Sequence, residues 1–104
     1  MNIDLDCPAD ELRVLADPLR WRIVELLAAE ELCVCHLVEM LPASQSLISH
    51  HLRVLRDAGV VESERFRYWT YYRLRPDALL GLAGRLTELA RGAPPSNGRR
   101  RPCC

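Results

Sequence analysis

The chain has no lysine; every one of its basic residues is arginine, whose planar, forked guanidinium suits phosphate. It has no apolar run long enough to span a bilayer, so no membrane helix and no membrane partner are expected. Its first residues, MNIDLDCPADE, lack the basic start and apolar centre of a secretory signal, and the expected location is the cytoplasm. C-x-x-C pairs, phosphate-binding glycine loops and a strand–helix–strand alternation are missing too, which argues against a small enzyme and against an organic cofactor.

The charge is unevenly spread. Net charge is zero over the 104 residues, but residues 1–43 hold nine acids against three arginines. Residues 44–75 hold six arginines against three acids, and residues 76–104 hold five against two. Positive charge therefore gathers in the middle and the end of the chain, as it does where a segment meets nucleic acid. Hydrophobic residues make up 49%, enough for one small domain with a thin core.

Pro8 suits the first position of a helix reaching Ala16, with Leu12, Leu15 and Ala16 on one side. Asp17-Pro18 is an N-cap and first-turn pair opening LRWRIVELLAAE, with Leu19, Ile23, Leu26 and Leu27 at core spacing. Leu32–Leu41 reads as a short third helix ended by Pro42, and with Ala43–Ala58 it makes a helix-turn-helix. In that second helix Ile48, Leu52 and Leu55 share a stripe, with His51 beside it. Ser46, Ser49, His50 and Arg53 fall on the other face, which carries short polar groups of the kind that read base edges. Gly59 ends the helix where a left-handed residue is wanted. Residues 60–74, VVESERFRYWTYYRL, read as a two-stranded hairpin turning near Arg65–Arg67.

Pro76 opens a last helix whose leucines cover more surface than one core face needs, so a two-fold partner is expected there. Residues 1–91 are assigned to the folded domain. Residues 92–104, GAPPSNGRRRPCC, are assigned to a disordered tail carrying arginines and cysteines.

The five cysteines, Cys7, Cys33, Cys35, Cys103 and Cys104, do not read as a disulfide framework in a reducing compartment. Cys33-Val34-Cys35-His36 falls at the start of the third helix, where partial positive charge favours thiolate, and thiolates select soft ions. On an ideal helix residues i and i+2 stand about 200° apart, so both thiols reach one ion only if Cys33 is a non-helical cap or the first turn is distorted.

The run SQSLISHHLRVLRDAGVV resembles the recognition helix of the arsenic-responsive (ArsR/SmtB-type) winged-helix repressors, LADPLRWRIVELL resembles their preceding segment, and ELCVCHL resembles their arsenite-sensing signature. The resemblance covers roughly residues 9–91. It implies a mainly α fold with a small β-hairpin wing, dimeric through the first and last helices, with Leu12, Leu79, Leu82, Leu86 and Leu89 at the interface. It implies contacts to operator DNA from Gln45, Ser46, Ser49, His50 and Arg53, and from Arg65 and Arg67 at the wing. It also implies repression relieved when Cys33 and Cys35 bind As(III) or Sb(III) as inducer.

Two departures stand out. Most wings of the family turn through a glycine, and here Phe66 is near that point. Where related sensors carry a third cysteine, three residues after the second, this chain has Val38. Cys7, Cys103 and Cys104 are the candidate third ligands, with His36 a weaker one. A cadmium, lead or zinc sensor and a thiol-redox switch are the alternatives. The zinc site of relatives, built from Asp and His on the last helix, is not expected here, because that helix has Asp77 and Glu88 but no histidine.

Overall fold

The computed structural model describes residues 9–95 and 100–103. Pro8, Cys7 and Cys104 lie outside the described residues. The elements run α1 (Ala9–Leu15), α2 (Pro18–Ala29), β1 (Leu32–Cys33), α3 (Val34–Met40), α4 (Gln45–Asp57), β2 (Val61–Phe66), β3 (Trp69–Leu74) and α5 (Pro76–Gly92). This is the mainly helical winged helix-turn-helix that the sequence implies, with one addition. The wing is not a lone hairpin: β1 joins it in a three-stranded antiparallel sheet of order β1-β3-β2, Leu32 pairing with Tyr72 and Cys33 with Tyr71.

Local chemistry sets each start and stop. Asp17 caps α2, its carboxylate accepting from the Leu19 and Arg20 N–H groups at 2.9 and 3.0 Å, with Pro18 next in place. These bonds to backbone N–H groups hold the Asp17 carboxyl below the usual range. Ser44 caps α4 by accepting from Leu47 N–H at 3.2 Å, so that helix begins two residues later than Ala43. Gly59 follows the C-cap at φ 79°, a conformation that costs other residues about 1–2 kcal/mol.

The core is one cluster. Ile23, Val24 and Leu27 of α2 meet Leu37 of α3, Ile48, Leu52 and Leu55 of α4, and Val60 and Val61 at the root of the wing. Each fully buried aliphatic side chain is worth roughly 1.5–3 kcal/mol against exposure. Leu19 and Leu26 pack only at its edge. In α1 the buried residue is Val14, whereas Leu12 is exposed and Leu15 is only partly buried, so the core side assigned from Leu12, Leu15 and Ala16 is corrected. A seven-residue helix at a surface buries a narrow stripe, and here the stripe is one residue wide.

Two more boundaries differ from expectation. The third helix begins at Val34, not Leu32, because the Leu32 and Cys33 backbones pair with β3. The hairpin turns through Arg67-Tyr68, with Phe66 opposite Trp69, so Arg65 belongs to the strand and pairs with Thr70. Arg67 sits at φ 57°, the position for which a two-residue hairpin turn favours glycine.

Candidate metal centre and nucleic-acid interface

Cys33 is the N-cap of α3, with extended backbone at φ −93° and ψ 170°. That removes the obstacle posed by i and i+2 on an ideal helix. The two thiols and the His36 imidazole form a cluster whose ligand atoms all lie within 4.8 Å of one another. Cys33 is buried, and Cys35 is exposed. Burial pushes the Cys33 thiol up, but hydrogen bonds from the Cys35 thiol and from the His36 and Cys35 backbone N–H groups outweigh it and the net shift is downward. The same thiol–thiol bond, with burial and the Cys33 charge behind it, pushes Cys35 up. The shared bond thus favours thiolate on Cys33 over thiolate on Cys35.

The donor set fits a thiophilic ion: two sulfurs converge on one point, as soft and borderline ions require. A cavity of about 530 Å³ opens beside them, lined by Cys33, Cys35 and Val38, by Gln45 at the start of α4, and by Tyr68 and Trp69 of the wing. Cys103 is exposed and outside the cluster, and Cys7 and Cys104 are not among the described residues. Val38 is exposed beside the cavity, with no donor to offer. Sequence reasoning ranked His36 low as a donor. The signal that could have raised it was its spacing: three residues after a helix N-cap, a polar side chain folds back onto the cap.

The second region is the outer face of α4. Gln45, Ser46, His50 and Arg53 are exposed and Ser49 is half-buried, on the face opposite the buried Ile48, Leu52 and Leu55. His51, on the inner side, is 8% exposed. Its Nδ1 lies 2.9 Å from Arg20 Nη1, and Arg20 Nε donates to the Val14 carbonyl at 2.7 Å. Guanidinium can only donate, so Nδ1 accepts and the neutral ring carries its proton on Nε2. Burial pushes the His51 pKa down, against the pull of Asp17. This link between α1, α2 and α4 joins residues 31 apart and has no periodic signature.

At the wing, Arg65 and Arg67 are exposed, and the Arg67 guanidinium lies 5.5 Å from the Phe66 ring centroid. Arg73 is committed to the protein: it bonds Glu62 at 2.7 Å and Glu64 at 3.0 Å, with Glu31 at 3.6 Å. On α5, Leu79 packs partly against the core, while Leu82 is half-buried and Leu86 and Leu89 are exposed.

The family described as bacterial regulatory protein, arsR family, matches residues 17–63, a family of regulators and not of enzymes. The arsenic resistance transcriptional regulator ArsR1 of Pseudomonas putida is 46% identical over 67% of this chain and 56% of its own length. The chain thus spans little more than half of that relative. The arsenical resistance operon repressor of Bacillus subtilis is 37% identical over 69% of this chain and 70% of its own. A crystal structure titled as a possible transcriptional regulator for arsenical resistance superposes with a TM-score of 0.71 at 42% identity, covering 77% of this chain and 83% of the other.

Proposed function

Since the chain belongs to the arsR family of bacterial regulatory proteins, we propose that it represses transcription by binding operator DNA as a dimer and leaves the operator when As(III) or Sb(III) binds Cys33 and Cys35. The observation that carries this reading is the cavity wall, on which both thiols stand beside Gln45, the first residue of the reading helix.

On this reading α4 lies in the major groove, where Ser46, Ser49, His50 and Arg53 meet base edges and phosphates. Arg65 and Arg67 reach phosphate from the wing and fix the register without reading sequence. The exposed leucines of α5, with Leu12 of α1, pack against a second copy, so that two reading helices meet a two-fold site. Among the described residues, the domain that does this runs from α1 to the end of α5 at Gly92.

The switch follows from shared packing. Leu37 of α3 and Leu41, which caps its end, are buried in the same cluster as Ile48 and Leu52 of α4. Cys33 and Cys35 must close on one ion to hold it, and closing them moves the start of α3. A close-packed core passes that movement to α4. An inducer bound better by the moved state lowers operator affinity, and by linkage operator DNA lowers inducer affinity by the same factor.

The test is a titration of the protein on a labelled fragment carrying its operator, under reducing conditions, with As(III), Sb(III), Cd(II), Pb(II) and Zn(II) in parallel. Release at the lowest concentration by As(III) or Sb(III) is the expected result. Tight DNA binding that none of the five ions disturbs contradicts the sensing half of the proposal; no operator binding at all contradicts the other half.

A further inference from the structure

One guanidinium ties three helices together. Arg20 sits in the first turn of α2, and its Nε donates at 2.7 Å to the carbonyl of Val14. Val14 is in the last turn of α1, where helix carbonyls lack a donor of their own. Arg20 Nη1 donates to His51 Nδ1 at 2.9 Å on the buried side of α4. The end of α1, the start of α2 and the middle of α4 are thus held by two bonds from one side chain.

The bond to His51 has only one polarity. A guanidinium has donors and no acceptor, and it stays charged. The ring accepts at Nδ1 only while that nitrogen bears no proton. A proton placed there turns the acceptor into a donor and sets two cations side by side. Among the described residues, the charged groups acting on the ring are Asp17 and Arg20 from the start of α2, and His50 beside it on α4. Asp17 favours the proton, whereas burial, Arg20 and His50 oppose it. From α3 and the root of β2, the residues that join the core side of α4 are the aliphatic Leu37, Val60 and Val61. Either response to the proton reaches the reading face. If Arg20 keeps its hold on Val14, the ring must move and α4 turns with it, because a close-packed helix moves as a body. If the guanidinium yields, α4 loses its tie to α1. The His50 ring, on the outer face, stands 5.5 Å from that of His51.

We infer that Arg20 and His51 are positioning residues for DNA reading: their bond sets how α4 lies against α1 and α2, and a proton on His51 breaks it and lowers operator affinity. The inference rests on the reading of α4 as the helix that meets DNA. By linkage, operator DNA makes His51 harder to protonate by the same factor. One proton per subunit changes affinity by at most about tenfold per pH unit for each subunit.

The experiment measures affinity for a labelled operator fragment by anisotropy at fixed salt between pH 7.5 and 5.5. It uses the full, reduced chain, with circular dichroism checking the fold at each pH. The variants are His51→Gln, His51→Leu, Arg20→Met and the last two combined. Glutamine keeps an acceptor for Arg20 and takes no proton, whereas leucine and methionine keep bulk and lose the bond. At pH 7.5 His51→Gln is expected to bind close to the parent. His51→Leu and Arg20→Met are each expected to lose at least about tenfold, the scale of one hydrogen bond to a charged group. The combined variant should bind no worse than either alone, as for two ends of one bond. On lowering the pH, His50 gains charge in the parent and in His51→Gln alike, so their affinity ratio isolates His51. That ratio is expected to rise severalfold in favour of His51→Gln. A ratio that stays flat overturns the inference, as do folded His51→Leu and Arg20→Met variants that bind like the parent, or losses that add in the combined variant. Should a single variant fail to fold, the pH ratio for His51→Gln decides. A folded parent that binds no operator overturns the reading of α4 and this inference with it, an outcome distinct from a flat ratio in a parent that binds.

Discussion

α4 and α5 are amphipathic helices of 13 and 17 residues, and they use their leucines in opposite ways. In α4, Ile48, Leu52 and Leu55 are all 0% exposed and close the domain's own core. In α5 no residue is buried, and Leu80, Leu86 and Leu89 are 70%, 50% and 73% exposed. Periodicity alone does not separate the two cases. What separates them is what stands opposite: α4 has α2, α3 and the wing root within reach, while from α5 Leu79 alone packs against the core cluster. Among the described residues the apolar face of α5 has no cover, which is what the proposed two-fold interface would supply, whereas the stripe of α4 fits its own core and leaves the opposite, polar face available for DNA.

Breaking the two stripes should therefore give different phenotypes. Leu52→Ala, in α4, is expected to lower unfolding stability by about 2–5 kcal/mol, read from denaturant midpoints. Leu86→Glu, in α5, should spare the fold and turn dimer into monomer in sedimentation, because the charge enters an apolar seam without a partner. A Leu86→Glu variant that stays dimeric and binds its operator places the interface elsewhere.

The polar face of α4 sharpens the contrast. Ser49→Ala and His50→Ala should each weaken operator binding by about 1–3 kcal/mol with fold and dimer intact, measured by anisotropy at fixed salt. Arg65→Ala and Arg67→Ala should lower affinity for all sequences and flatten its salt dependence.

The inner face of α4 adds a pH dependence. His51 is held neutral by burial and by Arg20, so its folded pKa lies below the unfolded value of about 6.5. Below that pH the unfolded chain takes up a proton that the folded chain refuses, and stability falls as pH drops through 6.5 toward the folded pKa. His51→Gln should flatten the fall, seen in melting curves between pH 7 and 5. This is the smallest expected effect, a single proton's linkage.

Much of this was legible in the sequence. Asp17-Pro18, Gly59 and the Ile48–Leu52–Leu55 stripe carry local signals, and each element formed where they pointed. The misplacements came from tertiary terms. Leu32 and Cys33 look helical beside Val34–Met40, but pairing with Tyr71 and Tyr72 draws them into the sheet. The turn lay at Arg67-Tyr68 because register with Trp69–Leu74 fixed it, not because the residues there favour a turn. Within the candidate site, the thiol pair was readable from its spacing. The wing residues Tyr68 and Trp69 on the cavity wall were not, since only folding brings them to α3.

The most direct test of the central claim is operator release titrated with arsenite for Cys33→Ser and Cys35→Ser. Serine is nearly isosteric but offers no soft ligand. Both variants are expected to bind operator as the parent does and to stay bound as arsenite is added. Release unchanged from the parent in both variants would contradict the account.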